Sequence, residues 1–121
     1  MWDLKTIIKQ NKQGFKAVNV TVLRTATITI GRNISARPMT AGTWQTFRRS
    51  IINACHAYGE ETFVESSGKG KYKGIQEDNF TVVFSLDTLQ ISTLKSCLSG
   101  FCRYFSQECI ALTIGETDLI K

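Results

Sequence analysis

The segment SSGKGKYKGIQEDNF, Ser66 to Phe80, gathers the residues best suited to chemistry in this chain. Lys69, Lys71 and Lys73 alternate with glycines and Tyr72, and the acidic pair Glu77 and Asp78 follows. Glycine lets backbone amides approach an anion closely and lysine adds a mobile point charge, so the chemistry implied is phosphate binding. The same composition also suits a long hairpin connection that lysine keeps soluble, with no ligand at all. It is not a Walker loop, because G-x-x-x-x-G-K-[ST] is missing and strand patterns flank it on both sides. Two further clusters carry charge. IGRN, Ile30 to Asn33, sets the guanidinium fork of Arg32 and the amide of Asn33 where a strand ends, within reach of a phosphate or a base edge, or in a plain turn with a surface arginine. WQTFRRS spaces Trp44 and Arg48 one helical turn apart, which brings an aromatic and a guanidinium plane together, while Trp44 and Phe47 equally fit a core stripe.

Catalytic sets are hard to assemble from what is present. The only histidine, His56, stands beside Cys55 within a helical pattern, and successive helical residues diverge by about 100°. The four cysteines include no C-x-x-C pair, and the histidine and carboxylates show no metal-ligand spacing. The residues therefore point to a binding protein without cofactor or metal, and not to an enzyme.

The elements that would position these residues follow from composition and periodicity. A chain of 121 residues, 42% hydrophobic and with one proline, is expected to form a single domain over 1–121. Fifteen Lys and Arg against ten Asp and Glu give a net charge of +5, which favours anionic partners. No apolar run reaches the about eighteen residues of a membrane span, and the N-terminus lacks a signal-peptide pattern, so a cytoplasmic setting with reduced thiols is expected. Residues 1–14 read as a short helix with Asp3 as cap. A core over 17–121 then reads β-α-β-β-α-β. Period-two alternation through Val18, Val20, Val22, Ala26, Ile28 and Ile30 predicts one long bent strand or two. Trp44, Phe47, Ile51, Cys55 and Tyr58 predict a helix from Thr40 to Gly59. ETFVES and NFTVVFSL predict a hairpin with the lysine segment as its loop. Ile91, Leu94, Leu98, Phe101 and Phe105 predict a second helix after Asp87, and ECIALTIG predicts a last strand with a short tail. This order is that of the ferredoxin-like split βαβ, an α+β fold with an antiparallel sheet, both helices on one face and a threonine-rich face left open.

The combination TITIGRN, RPM, the W-x-x-F of Trp44 and Phe47, GKGKYKGIQEDNFTVV and CIALTIGETDLI is similar to that of a family of small phage-encoded proteins, over most of the chain from Thr27 to Ile120. Length, element order and N-terminal helix resemble the Thoeris anti-defence proteins, phage sponges for a cyclic ADP-ribose signal. The resemblance implies a phage counter-defence protein of the infected bacterial cytoplasm that binds a cyclic nucleotide signalling molecule without degrading it. It also implies a homo-oligomer, a dimer or larger, with ligand held near subunit contacts. Site residues are assigned by chemistry: Arg32, Arg48, Lys69 and Lys71 for a pyrophosphate, with Asn33 beside Arg32, Trp44 and Tyr72 for a base, and Glu77 and Asn79 for ribose hydroxyls. The lysine segment would then be a lid. Two alternatives stand beside this reading, a basic nucleic-acid-binding module and a direct protein inhibitor of a host defence enzyme. The first normally needs exposed aromatics on the central strands, where this chain has threonine.

Overall fold

The computed structural model describes residues 22–121, with the side chains of 61–64 left aside; the helix expected over 1–14 lies outside the described residues. The first strand, β1, spans Leu23–Gly31. A two-residue bridge follows, β2 (Asn33–Ile34) with β3 (Arg37–Pro38), and then helix α1, Ala41–Tyr58. The Thr40 hydroxyl accepts from the Thr43 N–H at 3.2 Å and caps α1. Gly59 ends this helix as expected, its N–H donating to the Cys55 carbonyl, and because it is in extended geometry it is also the first residue of the next strand.

The largest departure from expectation concerns the lysine segment, which is strand and not loop. Strand β4 runs Gly59–Tyr72 and β5 runs Ile75–Asp87, so only Lys73 and Gly74 turn the chain. Both have positive φ, 52° and 81°, as a two-residue type I′ hairpin turn requires. One of the β4 glycines leaves room for a neighbour: a Cβ at Gly70 would lie 2.8 Å from Asn79 Nδ2, whereas one at Gly68 would make an ordinary contact at 3.4 Å with Asn79 Oδ1.

After β5, Asp87 accepts from the Leu89 N–H at 2.9 Å and starts a 3₁₀ turn over Thr88–Gln90, which leads into helix α2, Ile91–Tyr104. The expected last strand is β6, Ile110–Ile114. What was expected as a short tail is a further strand, β7 (Glu116–Ile120), reached through Gly115 at φ 81°. It pairs with β6 and ends on the buried Ile120, whose carbonyl accepts from the Cys102 thiol at 3.3 Å.

Among the described residues the result is an α+β arrangement with a five-stranded antiparallel sheet in the order β4-β5-β1-β6-β7. Alternation along each strand sends Ala26, Ile28 and Ile30 of β1, Phe80, Val82, Phe84 and Leu86 of β5, and Ile110 and Leu112 of β6 into one core. Helix α1 packs over β4 and β5, and α2 over β6 and β7. Phe47, Ile51, Leu94 and Leu98 meet the sheet side chains with no exposure to solvent, and Phe47 stacks on Phe105 at 4.4 Å. The opposite face carries the threonines. Thr29 and Thr81 hydroxyls meet across β1 and β5 at 3.2 Å, and those of Thr113 and Thr117 across β6 and β7 at 2.8 Å. No helix of the described residues is long and apolar enough to cross a membrane.

Candidate functional site

Strand β1 stops at Gly31, opposite Asn79 of β5, but the β4–β5 hairpin continues past this point. Its free end curls over the threonine face toward the loop between α2 and β6. A cavity of about 220 Å³ lies between them, walled by the end of β1, the hairpin, residues 106–109 and Leu119 of β7.

Alternation decides what the hairpin offers to this space. Gly68, Gly70 and Tyr72 of β4 pair with Asn79, Glu77 and Ile75 of β5, so these residues share one face. Lys69 and Lys71 pair with Asp78 and Gln76 and share the other. The alternating GKGKYKG pattern thus turns glycine and tyrosine toward the cavity and lysine away from it. Lys71 contributes to the cavity wall, yet its place in the ladder directs its side chain to the same side as Lys69.

Glu77 enters the cavity across the end of β1. Burial pushes its carboxyl above the usual range, and the backbone N–H of Asn33 offsets part of this. Beside it, Asp78 is held below the usual range, first by the hydrogen bond from Lys69 at 2.5 Å and then by Arg32 at 3.3 Å. Arg32 is held at this corner by further bonds: its Nε donates to the Met39 carbonyl at 2.8 Å, and its backbone N–H to the Asp78 carbonyl at 2.9 Å. Asn33 Nδ2 donates to the Gln76 carbonyl, and Gln107 Nε2 donates to the Asn33 carbonyl, which ties three elements at one end of the cavity.

At the other end, Lys73 Nζ reaches Glu108 Oε2 at 2.6 Å and keeps that carboxyl below its usual range. The Cys109 Sγ and the Tyr72 hydroxyl meet at 3.5 Å, and the Tyr72 phenol is pushed up to about 12, first by its hydrogen bond with Cys109 and then by burial. A flat ring, two carboxylates and several amides therefore converge on one concave space, an arrangement suited to holding a small polar molecule with an aromatic part.

The structure brings together Asn33, Lys71, Tyr72, Glu77 and Asn79 from the residues expected to bind ligand. Arg32 and Lys69 stand next to the cavity, paired with Asp78. Trp44 and Arg48 are elsewhere. Both belong to α1 on the helix side of the sheet, where Trp44 is buried and the Arg48 guanidinium lies between the Trp44 ring at 5.5 Å and the Phe80 ring at 5.8 Å. Their helical spacing served the core stripe. Glu108, Cys109, Gln107 and Leu119 line the cavity without having been singled out from sequence, since long-range folding alone sets them beside the hairpin. On the open face, Phe80 and Phe84 offer no stacking platform, because both are buried on the core side.

No family model matches the sequence, and no curated protein does. Among solved structures, the fold is similar to phage SAM lyase. One such structure, in complex with S-methyl-5′-thioadenosine, aligns with a TM-score of 0.56 at 13% identity, covering 88% of this chain and 96% of that one. Another, phage SAM lyase in the apo state, aligns at 0.56 and 12% identity, covering 88% and 94%. At such identity the likeness is one of fold.

Proposed function

We propose that this protein binds an adenosine-type nucleoside in the cavity beneath the β4–β5 hairpin, and that a nucleoside carrying a sulfonium cation, of the S-adenosylmethionine class, is the preferred ligand. In biological terms this is a phage counter-defence protein that withdraws a small molecule in the cytoplasm of an infected bacterium. The observation that carries the reading is the charge of the cavity. Two carboxylates, Glu77 and Glu108, line it against one hairpin lysine, Lys71, whose place in the ladder sends its side chain to the far face; among the described residues Lys73 is paired with Glu108 and Lys69 with Asp78. Such a lining favours a cation over a pyrophosphate. Size agrees, since ligand pockets usually measure about 300–1,000 Å³ and this cavity is smaller, fitting a nucleoside better than a dinucleotide. Tyr72 supplies a face for the base, and Glu77 and Asn79 supply partners for ribose hydroxyls.

The protein's own role in this reading is to bind and hold, not to react. A second reading, cleavage of the sulfonium ligand, is favoured by the fold's likeness to phage SAM lyase. Sequestration of a cyclic ADP-ribose signal, as the Thoeris resemblance implies, would need Arg32 or Lys69 to leave Asp78 and face the ligand. The strand order β4-β5-β1-β6 supports the ferredoxin-like split βαβ, with β7 as an added edge. Strands β4 and β7 each leave one edge unpaired within the described residues, which suits assembly into a homo-oligomer.

The deciding experiment incubates purified protein with S-adenosylmethionine and, separately, with cyclic ADP-ribose, then denatures it and identifies what is released by mass spectrometry. Intact S-adenosylmethionine supports sequestration, and S-methyl-5′-thioadenosine produced with turnover establishes cleavage. Retention of cyclic ADP-ribose alone would replace the sulfonium reading with the sponge, and retention of neither removes the nucleoside site.

A further inference from the structure

The distal end of the hairpin has no third strand beside it. Gly31 and Asn79 are the last pair between β1 and β5, whereas β4–β5 pairing continues from Lys69 and Asp78 to Tyr72 and Ile75. The root of this two-stranded ribbon is pinned by Asp78, which receives the Arg32 backbone N–H and the Arg32 and Lys69 side chains. Beyond that root the ribbon is tied to the rest of the described residues by three polar contacts: Asn33 Nδ2 with the Gln76 carbonyl at 3.3 Å and, at the tip itself, Lys73 with Glu108 at 2.6 Å and the Cys109 thiol with the Tyr72 hydroxyl at 3.5 Å. Tyr72 belongs to the ribbon, Glu108 and Cys109 to the α2–β6 loop, and all three line the cavity. Separating the tip from the loop therefore parts two walls of the same space.

Turn chemistry points to a purpose for Lys73. A left-handed first turn position favours Asn or Asp ahead of glycine, and this chain has lysine there at φ 52°. The lysine is explained by its partner across the cavity mouth. Both members of the pair are largely in water, with 64% and 53% of their side chains exposed, so the attraction is weak and screened by salt. A weak contact of this kind suits a tie that opens and closes repeatedly.

We propose that the Lys73–Glu108 ion pair is a latch which holds the ribbon tip over the cavity, and that its release is the step by which the cavity admits and discharges its ligand. The ligand half of this statement rests on the nucleoside-binding reading above. The latch itself is tested without ligand, through Cys109. Iodoacetamide labelling of that thiol at pH 8, followed peptide by peptide by mass spectrometry, reports how often the mouth opens.

Lys73→Met is the decisive variant because it removes the charge of the latch and keeps an unbranched side chain. Release of the latch speeds Cys109 labelling, by about two- to five-fold for an exposed pair. Exchanging the charges, Lys73→Glu with Glu108→Lys, restores slow labelling, and high salt speeds the wild type but not Lys73→Met. Labelling of Lys73→Met at or below the wild-type rate, in protein with an unchanged circular dichroism spectrum, overturns the latch. Adding S-methyl-5′-thioadenosine separates the two claims: protection of wild-type Cys109, with faster release from Lys73→Met, supports both. Absence of protection by this nucleoside or by S-adenosylmethionine removes the ligand reading, and the labelling rates still decide the latch.

Discussion

The Glu77 carboxylate occupies the space that a side chain at Gly31 would fill. The end of β1 is thus shaped to let an acidic group from β5 lie across it and into the cavity, where burial raises its pKa. Gly31→Ala should push the far end of this flexible side chain aside at little cost to the fold. Binding of S-adenosylmethionine, measured by isothermal titration, should weaken by roughly tenfold, equivalent to about 1.4 kcal/mol. Unchanged affinity in the variant would separate Glu77 from the ligand.

Neighbouring residues Glu77 and Asp78 should respond to pH with opposite signs. The folded-state pKa of Glu77 is raised, so its contribution to stability is present below the unfolded carboxyl value and is lost as pH rises through the folded one. Glu77→Gln should therefore be more stable than wild type at pH 7, with the gain fading in acid. Asp78 is lowered by Lys69 and Arg32, so its contribution is present above the unfolded value and is lost as pH falls through the folded one. Asp78→Asn should be less stable at pH 7, with the loss fading in acid. Urea midpoints from pH 3 to pH 7.5 check both.

Arg48 stacks between Trp44 and Phe80 on the helix side of the sheet. Arg48→Ala should leave nucleoside affinity within roughly twofold of wild type, as expected for sites with no shared partners. A large loss in titration would place part of the ligand on the α1 side.

Leu98 is fully buried where α2 meets the sheet. Leu98→Ala should cost about 2–5 kcal/mol in urea unfolding, from lost transfer energy and the cavity left behind. A cost below about 1 kcal/mol would mean that this face of α2 is not in the core.

Cys55 is buried among core residues, and burial, with a smaller effect from Glu65, pushes its thiol up to about 12. At pH 8 it should resist iodoacetamide until the protein unfolds, while Cys109 labels in the native state. Peptide mapping before and after addition of urea compares the two.

Local periodicity determined much of this protein. The 3.6-residue stripe through Trp44, Phe47 and Ile51 and the one through Leu94 and Leu98 gave both helices, and strict alternation from Ala26 to Ile30, from Phe80 to Leu86 and from Ile110 to Leu112 gave three of the strands and their core faces. Those signals are local, because an element with one apolar face repeats that face along its own sequence. Tertiary pairing decided the rest. GKGKYKG has the composition of a loop, yet it forms strand, pairing residue by residue with Ile75 to Asn79 of β5. The same ladder put Lys69 on the far face and left Lys71 at the cavity wall with its side chain directed to that face, and Asp78 engaged Arg32 and Lys69. Glu108 and Cys109 entered the site only because the α2–β6 loop meets a hairpin more than thirty positions earlier in the chain. Residue types announced polar groups on the hairpin, but which of them line the cavity was set by which strand faces pair, a long-range property with no local pattern to reveal it.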